Sequence, residues 1–328
     1  MVAPDNEPPT PDRESMAAEE HGTNPDQCAA DRTNGFVNAL TVDVEDYFHV
    51  EAFRAVVDCR RWDEYELRVE ASTRRLLELF DRHEVRATFF VLAWVARKCP
   101  GLVAEIAARG HEIGCHSYWH RLIYTLTPDE FLEDTREATK VLEDTAGRKI
   151  VAYRAPSYSV TPRSTWALDI LGELGYTIDS SVFPVRHDLY GFPGFPRFAV
   201  NARLPGGGDI VEFPMTTLRR FGANLPGPGG GYLRIFPSIY SRHALRRVNE
   251  VERQPGVVYL HPWEVDPEQP RLPGRLKSRL RHYTGLASME RKLEALLERF
   301  RFAPMGEVLE RYPPRAAYTV PATVDRIV

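Results

Sequence analysis

Residues 37–46 read VNALTVDVED, an apolar run that leads straight into three carboxylates. The run predicts a buried strand over 37–42. A buried strand end tolerates the clustered anions Asp43, Glu45 and Asp46 only where a metal ion or a catalytic proton justifies them, because burial of a bare charge is costly. This stretch therefore predicts the first strand of a sheet, with metal-binding or catalytic carboxylates at the end of that strand.

The same pattern recurs along the chain. Apolar or β-rich runs predict further strands at 87–92, 111–115, 150–153, 176–178 and 257–260. Helical patterns lie between them, around Leu76 to Phe80, over 101–109 with Gly110 as a C-cap, over 128–143 with Thr127 as an N-cap, and from Thr161-Pro162 through Leu174. Strands that alternate with helices imply a parallel sheet, and the length favours one barrel over two domains. The predicted fold class is α/β, an irregular βα barrel.

Three further segments complete the predicted organisation. Residues 1–35 carry eight Asp or Glu and two Arg with hardly any large apolar residue, which predicts a disordered acidic tail before a barrel over 36–264. A Gly/Pro-rich insertion at about 192–237, including Gly229-Gly230-Gly231, is either a lid or binding loop or a plain excursion. Residues 265–328 are predicted to form a largely helical C-terminal extension, with one helix over 288–300.

Composition excludes several classes of protein. Of the 328 residues, 43% are hydrophobic and 27% charged, which is typical of a globular chain. The tail has a net charge of −6 and the whole chain has a net charge of −4, so the remaining residues have a net charge of +2. A nearly neutral folded part does not indicate nucleic-acid binding. No run of 18 apolar residues predicts a membrane span, and the start lacks the pattern of a signal peptide, so a cytoplasmic location is expected.

Two other features allow only limited conclusions. Four cysteines, Cys28, Cys59, Cys99 and Cys115, occur without a CxxC pair, which favours reduced thiols over a disulfide framework or a zinc knuckle. The basic stretch from Arg271 to Arg281 is either a solvated surface or a contact for an anionic glycan or a membrane face.

Three later strand ends also carry polar residues. His116 and His120 follow one strand at a spacing that can reach a single metal from a helical turn, although such a pair also arises by chance. Arg154 follows another strand and could orient a carboxylate or form a structural ion pair. His261 ends the last strand, where a core histidine is the alternative. A barrel brings these ends to one mouth, and their convergence is a stronger signal than any member.

The runs VDVEDYF, GCHSYWH, YRAPSYS, DSS and LHPWE resemble the NodB-homology polysaccharide deacetylases, carbohydrate esterase family four, over about 39–263. They resemble more closely the deacetylases associated with exosortase and PEP-CTERM systems, which also carry a C-terminal extension. The resemblance implies an irregular (β/α)7 barrel that hydrolyses the acetamide of N-acetylated sugars with one divalent metal. Zinc is the first choice, with Co²⁺, Mn²⁺ and Ni²⁺ as alternatives.

The resemblance also implies roles for individual residues. His116 and His120 correspond to metal ligands, and Asp43 to the general base, which Arg154 holds. His261 corresponds to the general acid, tuned by the carboxylate of Asp179. Val44 departs from the family pattern, because a second, metal-binding aspartate usually stands there. By similarity to relatives with an Asp-x-Asp arrangement, Glu45 becomes the expected third ligand, with Asp46 as second choice.

Candidate substrate contacts complete the hypothesis. A backbone N–H near Ser157 would meet the oxyanion, and Tyr158, Tyr118 and Trp263 offer aromatic faces to a sugar, unless they pack the barrel rim. The expected partner is an N-acetylated glycan and not nucleic acid, and nothing in the sequence indicates the oligomeric state. Two alternatives share the motifs: an amidohydrolase acting on a cyclic amide or ureide, and an inactive carbohydrate-binding relative that lost catalysis through Val44.

Overall fold

The computed structural model describes Met1, residues 35–187 and residues 189–323. The acidic tail predicted over 1–35 therefore lies outside the described residues except for its two ends, and so does Cys28. The other three cysteines are free thiols, of which Cys99 and Cys115 are buried and Cys59 is exposed.

The described strands begin with the one predicted at 37–42. They are β1 (Val37–Val44), β2 (Thr88–Val91), β3 (Glu112–Cys115), β4 (Ala152–Tyr153), β5 (Ile178–Asp179), β6 (Val200–Arg203), β7 (Asp209–Glu212), β8 (Thr217–Arg220), β9 (Ala223–Pro226), β10 (Val257–Leu260), β11 (Arg301–Ala303) and β12 (Ala317–Thr319). All eight residues of β1 are buried, as expected for a strand covered on both faces.

The described helices alternate with the strands in the first half of the chain. They are α1 (Val69–Arg82), α2 (Ala93–Lys98), α3 (Pro100–Ala108), α4 (Pro128–Ala146), α5 (Trp166–Glu173), α6 (Gly230–Ile235), α7 (Ser238–Arg246), α8 (Leu276–Tyr283), α9 (Leu286–Leu297) and α10 (Met305–Arg311). Short 3₁₀ turns occur at Glu51–Phe53, Cys59–Glu64, Ile123–Thr125, Pro156–Tyr158 and Pro262–Val265, and a π-helical turn at Arg247–Val251.

The sheet confirms the predicted α/β class. Seven neighbouring strands, in the order β10-β1-β2-β3-β4-β5-β7, run parallel to one another. This is the strand set of a (β/α)7 barrel-like fold. The antiparallel β6 continues the sheet beyond β7, and β12 then pairs with β6. Among the described strands, the two ends of this path, β10 and β12, do not pair with each other.

Helix boundaries follow local hydrogen bonding. Thr127 caps α4 as predicted: its hydroxyl accepts from the N–H of Glu130, whose carboxylate accepts from the N–H of Thr127. The prediction for α5 was wrong, because this helix begins at Trp166 and not at Thr161. The Ser164 hydroxyl instead accepts from the N–H of Thr161 and donates to the carbonyl of Ser159, which favours a turn over helix there.

The insertion and the extension have more strand than the sequence indicated. The insertion contains the β6–β7 hairpin, which joins the main sheet, and the separate β8–β9 hairpin. The extension contains α8, α9 and α10, and its strands β11 and β12 pair with β1 and β6. No helix of the described part of the chain is long and apolar enough to span a membrane.

The parallel strands place the predicted polar residues at one edge. Because the carboxyl ends of parallel strands meet on the same side of a sheet, the residues after β1, β3, β4 and β10 converge there. These are the carboxylates of 43–45, the histidine loop of 116–120, Arg154 and His261.

Candidate active site

Two histidines and one carboxylate form a compact buried cluster. One ligand atom from each of Glu45, His116 and His120 lies within 4.8 Å of the other two. The His120 Nε2 atom is 2.6 Å from Glu45 Oε2. Burial raises the pKa of Glu45, but the three neighbouring imidazoles of His120, His261 and His116 outweigh it and hold the pKa well below its usual value. Glu45 is therefore an anion placed against imidazole nitrogens.

The chemistry of these donors fits a divalent metal. The carbonyl of Arg154 lies 2.8 Å from His116 Nδ1, which makes Nδ1 the donor and leaves a lone pair on Nε2. Despite its closeness to His120, Glu45 Oε2 has no hydrogen-bond partner among the described atoms. The other oxygen, Oε1, accepts from the indole N–H of Trp263 at 3.2 Å. A set of two imidazoles and one oriented carboxylate suits zinc and its neighbours.

Asp46, the second choice for third ligand, has a different role. Its Oδ2 atom accepts from the backbone N–H of Arg68 at 2.7 Å and of Val69 at 2.8 Å, at the start of α1. Its Oδ1 atom accepts from the N–H of Tyr47. Burial raises the pKa of Asp46 to about 6. The structure thus brings Glu45 to the histidines and uses Asp46 to cap a helix.

Asp43 is oriented by a fully buried arginine. Arg154 donates from Nη1 to Asp43 Oδ1 and to the Thr41 hydroxyl, both at 2.7 Å. Its remaining donors bind the carbonyl and hydroxyl of Ser180, at 3.1 and 3.0 Å. The Tyr158 hydroxyl donates to the other Asp43 oxygen at 3.5 Å. A guanidinium fixed at this many points holds the carboxylate in one orientation.

His261 faces both carboxylates of β1. Its Nε2 atom is 3.9 Å from Asp43 Oδ2 and 3.6 Å from Glu45 Oε1, while Nδ1 lies 3.1 Å from Glu264 Oε2. Burial lowers the pKa of His261. The Glu264 hydrogen bond and the charges of Glu45, Glu264 and Asp43 outweigh this effect and raise the pKa to about 9. The imidazole is therefore protonated near neutral pH, as a general acid requires.

Comparison with known proteins finds similarity in two parts of the chain. Residues 61–178 match the family described as polysaccharide deacetylase. This part of the chain is therefore similar to the polysaccharide deacetylases. Residues 180–310 match a family described only as a domain of unknown function, DUF3473. Asp43 and Glu45 precede both matched regions, so the site extends beyond the deacetylase match.

Two bacterial proteins illustrate the similarity. The chain is 36% identical over 168 residues to a peptidoglycan-N-acetylglucosamine deacetylase of Bacillus cereus, covering 46% of this chain and 60% of that protein. It is 28% identical over 107 residues to the peptidoglycan-N-acetylmuramic acid deacetylase PdaA of Bacillus subtilis, covering 32% of this chain and 39% of that protein. The alignments thus span less than two thirds of either relative.

A solved structure shares the fold. The crystal structure of a "putative polysaccharide deacetylase from Mycobacterium smegmatis" superposes with a TM-score of 0.56 at 19% sequence identity. The superposition covers 89% of this chain and 94% of that one. The fold of that protein is therefore shared over most of this chain.

In this site Glu264, and not Asp179, contacts His261. Asp179 accepts from the Ser181 hydroxyl and pairs in register with Glu212 of β7, and burial raises the pKa of both carboxyls. Its strand, β5, stands five places from β10 in the sheet order, whereas Glu264 is three residues after His261 in the same turn. The signal was present in the sequence: His-Pro-x-Glu has the spacing of a capping box with proline in the first turn.

Arg234 is a site residue that sequence reasoning missed. From α6 in the insertion, its Nε atom donates to Glu264 Oε1 at 3.0 Å. Nη1 donates to the carbonyls of His282 and Thr284, both at 2.6 Å, and Nη2 to that of Arg281 at 3.0 Å. It is 2% exposed. The Arg234 guanidinium therefore connects the insertion, the C-terminal extension and the carboxylate that holds His261. No local sequence pattern predicts these contacts.

The predicted substrate contacts divide into two groups. Ser157 and Tyr158 follow Arg154 with φ of 52° and 53°, and the structure gives the Ser157 N–H no hydrogen-bond partner within the described residues. Tyr118 lies elsewhere, with its hydroxyl accepting from Arg97 and its ring against Trp119. An N–H free in this way suits the predicted oxyanion contact.

Trp263 orients the site instead of offering an open face to a sugar. Its ring stacks between His261 at 5.1 Å and His282 at 4.2 Å, measured between centroids. Its indole N–H is committed to Glu45. The expectation of a sugar platform at Trp263 is therefore replaced by a role in fixing the acid and a metal ligand, because both of its faces are covered.

Proposed function

We propose that this protein is a metal-dependent hydrolase that removes N-acetyl groups from an N-acetylated amino sugar in a polysaccharide or glycan precursor. The observation that carries the proposal is the meeting of three units at one edge of the sheet. These are the Glu45, His116 and His120 cluster, Asp43 held by Arg154, and His261 held by Glu264.

Each unit matches one requirement of amide hydrolysis. A divalent metal held by the cluster would polarise the acetamide carbonyl and acidify water. Asp43 then accepts the proton of the attacking water, and the fixed guanidinium of Arg154 keeps the carboxylate in place. The N–H of Ser157 is available to the negative oxygen that develops on the carbonyl carbon.

The acid completes the reaction. An amine leaves poorly as an anion, so the sugar nitrogen must receive a proton as the C–N bond breaks. Protonated His261 carries that proton on Nε2, because Nδ1 is committed to Glu264. Its Nε2 atom is 3.9 Å from Asp43 Oδ2, so the acid and the base face each other at the same edge of the sheet.

The identity of the metal is inferred from its ligands, and the class of glycan from similar proteins. Zinc is the first choice for two histidines and a carboxylate, with Co²⁺, Mn²⁺ and Ni²⁺ as alternatives. Relatives named for deacetylation of peptidoglycan sugars support an N-acetylated hexosamine. The motif resemblance to exosortase-associated deacetylases supports an exopolysaccharide as the polymer.

An inactive carbohydrate-binding role is less well supported. Sugar binding needs neither a base held by a buried arginine nor an imidazole whose pKa is raised to about 9. Both the base and the acid are intact in this protein. Val44 replaces the usual aspartate, but Glu45 brings its own carboxylate to the two histidines. The arrangement favours a catalyst.

Metal analysis and acetate release test the proposal together. Wild type should contain about one metal per chain and release acetate from chitin oligosaccharides. His116→Ala and Glu45→Ala should lose both properties, whereas the matched control Asp46→Ala should keep its metal. Metal without acetate release would favour the cyclic amide or ureide alternative. Absence of metal from wild type, even after incubation with Zn²⁺, would contradict the proposal.

A further inference from the structure

Helix α8 of the C-terminal extension presents apolar side chains to solvent. Leu276 is 70% exposed and Leu280 is 58% exposed. Being four residues apart, they share one face of the helix. The opposite side is used for packing, since His282 is buried and stacks on Trp263. The leucine face of α8 is therefore separate from the contacts that attach the helix to the site.

Along the chain, the charged residues next to these leucines are all basic. Arg275, Lys277 and Arg279 are exposed, and no acidic residue occurs between Glu268 and Glu290. Many other surface arginines pair with carboxylates, as Arg74 does, but within the described chain these three have no ion-pair partner. We call the surface of Leu276 and Leu280 with these three cations the α8 face.

Exposed apolar residues also occur next to the end of α8. Arg234 of α6 donates to the carbonyls of His282 and Thr284, which places the end of α6 beside the end of α8. The next two residues, Ile235 and Phe236, are 42% and 37% exposed. Two further exposed apolar side chains therefore lie near the C-terminal end of α8.

We propose that the α8 face docks on an anionic lipid surface. A short helix with apolar residues on one side and cations beside them is the pattern of a helix that lies in a membrane interface, where the leucines enter the acyl boundary and the cations meet lipid phosphates. An acidic polysaccharide would attract the cations but would not bury the two leucines in an apolar environment. A second copy would bring like charges together.

Helix α8, which carries this face, also lies beside the active site. Arg281, at the end of α8, interacts with the Tyr190 hydroxyl. The Tyr190 ring is 6.3 Å from that of Tyr158, whose hydroxyl donates to Asp43. A docked protein would thus present its site to glycan held close to the lipid surface. That last step rests on the proposed function, whereas the docking itself does not.

Vesicle binding of the full chain tests the docking without any activity measurement. Co-sedimentation is measured with vesicles of phosphatidylcholine alone and of phosphatidylcholine mixed with phosphatidylglycerol. One variant carries Leu276→Ser and Leu280→Ser, and another carries Arg275→Glu, Lys277→Glu and Arg279→Glu. A control with the same change in net charge, Arg136→Glu, Lys140→Glu and Lys149→Glu, alters exposed cations on or next to α4.

Wild type and control should bind the mixed vesicles but not phosphatidylcholine alone. Charge reversal on α8 should weaken binding on the order of 100-fold, since each cation near an anionic surface contributes about fivefold. The serine variant should weaken it by about tenfold or more. Circular dichroism checks folding. Equal loss in the control, undiminished binding of the serine variant, or a serine-sensitive dimer in sedimentation velocity would each overturn the proposal.

Discussion

Replacing Glu264 with glutamine tests the predicted acid, His261, while keeping the size of the side chain behind it. Burial lowers the pKa of His261 from its ordinary 6.5, but its carboxylate neighbours raise it to about 9, and the Glu264 hydrogen bond is the largest of the raising contributions. A group with a pKa of about 9 is about 90% protonated at about pH 8, whereas one at about 6.5 is about 3% protonated. Glu264→Gln should therefore lower kcat by up to about 30-fold at about pH 8, but by less than about twofold at about pH 6.

The assay is acetate release measured across pH, with kcat plotted for each variant. His261 acts as an acid, so activity is lost as pH rises through its pKa, and Glu264→Gln should move that alkaline limb to lower pH. Glu212→Gln is the matched control, because Glu212 is equally buried but pairs with Asp179 and not with His261. An alkaline limb at the same pH in Glu264→Gln and wild type would refute the assignment of His261 as the acid tuned by Glu264.

Three further predictions follow from the buried polar groups. Asp46→Ala should lower the free energy of unfolding by about 1 kcal/mol, because a helix cap is lost, and should leave metal content unchanged in elemental analysis. Arg154→Lys should lower kcat on the order of 100-fold with metal retained, since a lysine cannot hold Asp43 and the Ser180 oxygens together. Burial raises the pKa of Glu212 well above its usual value, so its folded form retains a proton that the unfolded chain releases as pH rises above about 4. Glu212→Gln should therefore raise the melting temperature at alkaline pH, and the gain should vanish towards about pH 4.

The sequence was sufficient for six strands of the main sheet, β1 to β5 and β10, because each of them carries its own signal. A run such as VNALTVDV is apolar enough to be buried on both faces whatever surrounds it, and alternation with helices then makes the strands parallel. Parallel order places the strand ends at one edge, which is why Asp43, His116, Arg154 and His261 could be grouped before their distances were known. The boundaries of α5 could not be predicted in this way, because the Ser164 hydroxyl competes locally with helix formation.

Contacts between separate strand ends were harder to infer. Asp179 and Glu264 both follow or end strands and both carry carboxylates, so only the arrangement of the chain in space decides which one reaches His261. Arg234 lay further out of reach of pattern analysis. Its donors mostly bind backbone carbonyls of the extension, and carbonyls have no signature in a sequence.

These contacts bear on how the two matched regions relate to each other. His116, His120 and Arg154 lie in the part that matches polysaccharide deacetylases, whereas His261, Glu264 and Arg234 lie in the part described as a domain of unknown function. Strand β10 of the domain of unknown function pairs with β1 along four residues, directly beside Asp43. An independent domain would have its own core and few crossing contacts. This region instead supplies a strand of the same sheet, the acid and the carboxylate behind it, so neither matched region holds a complete site without the other.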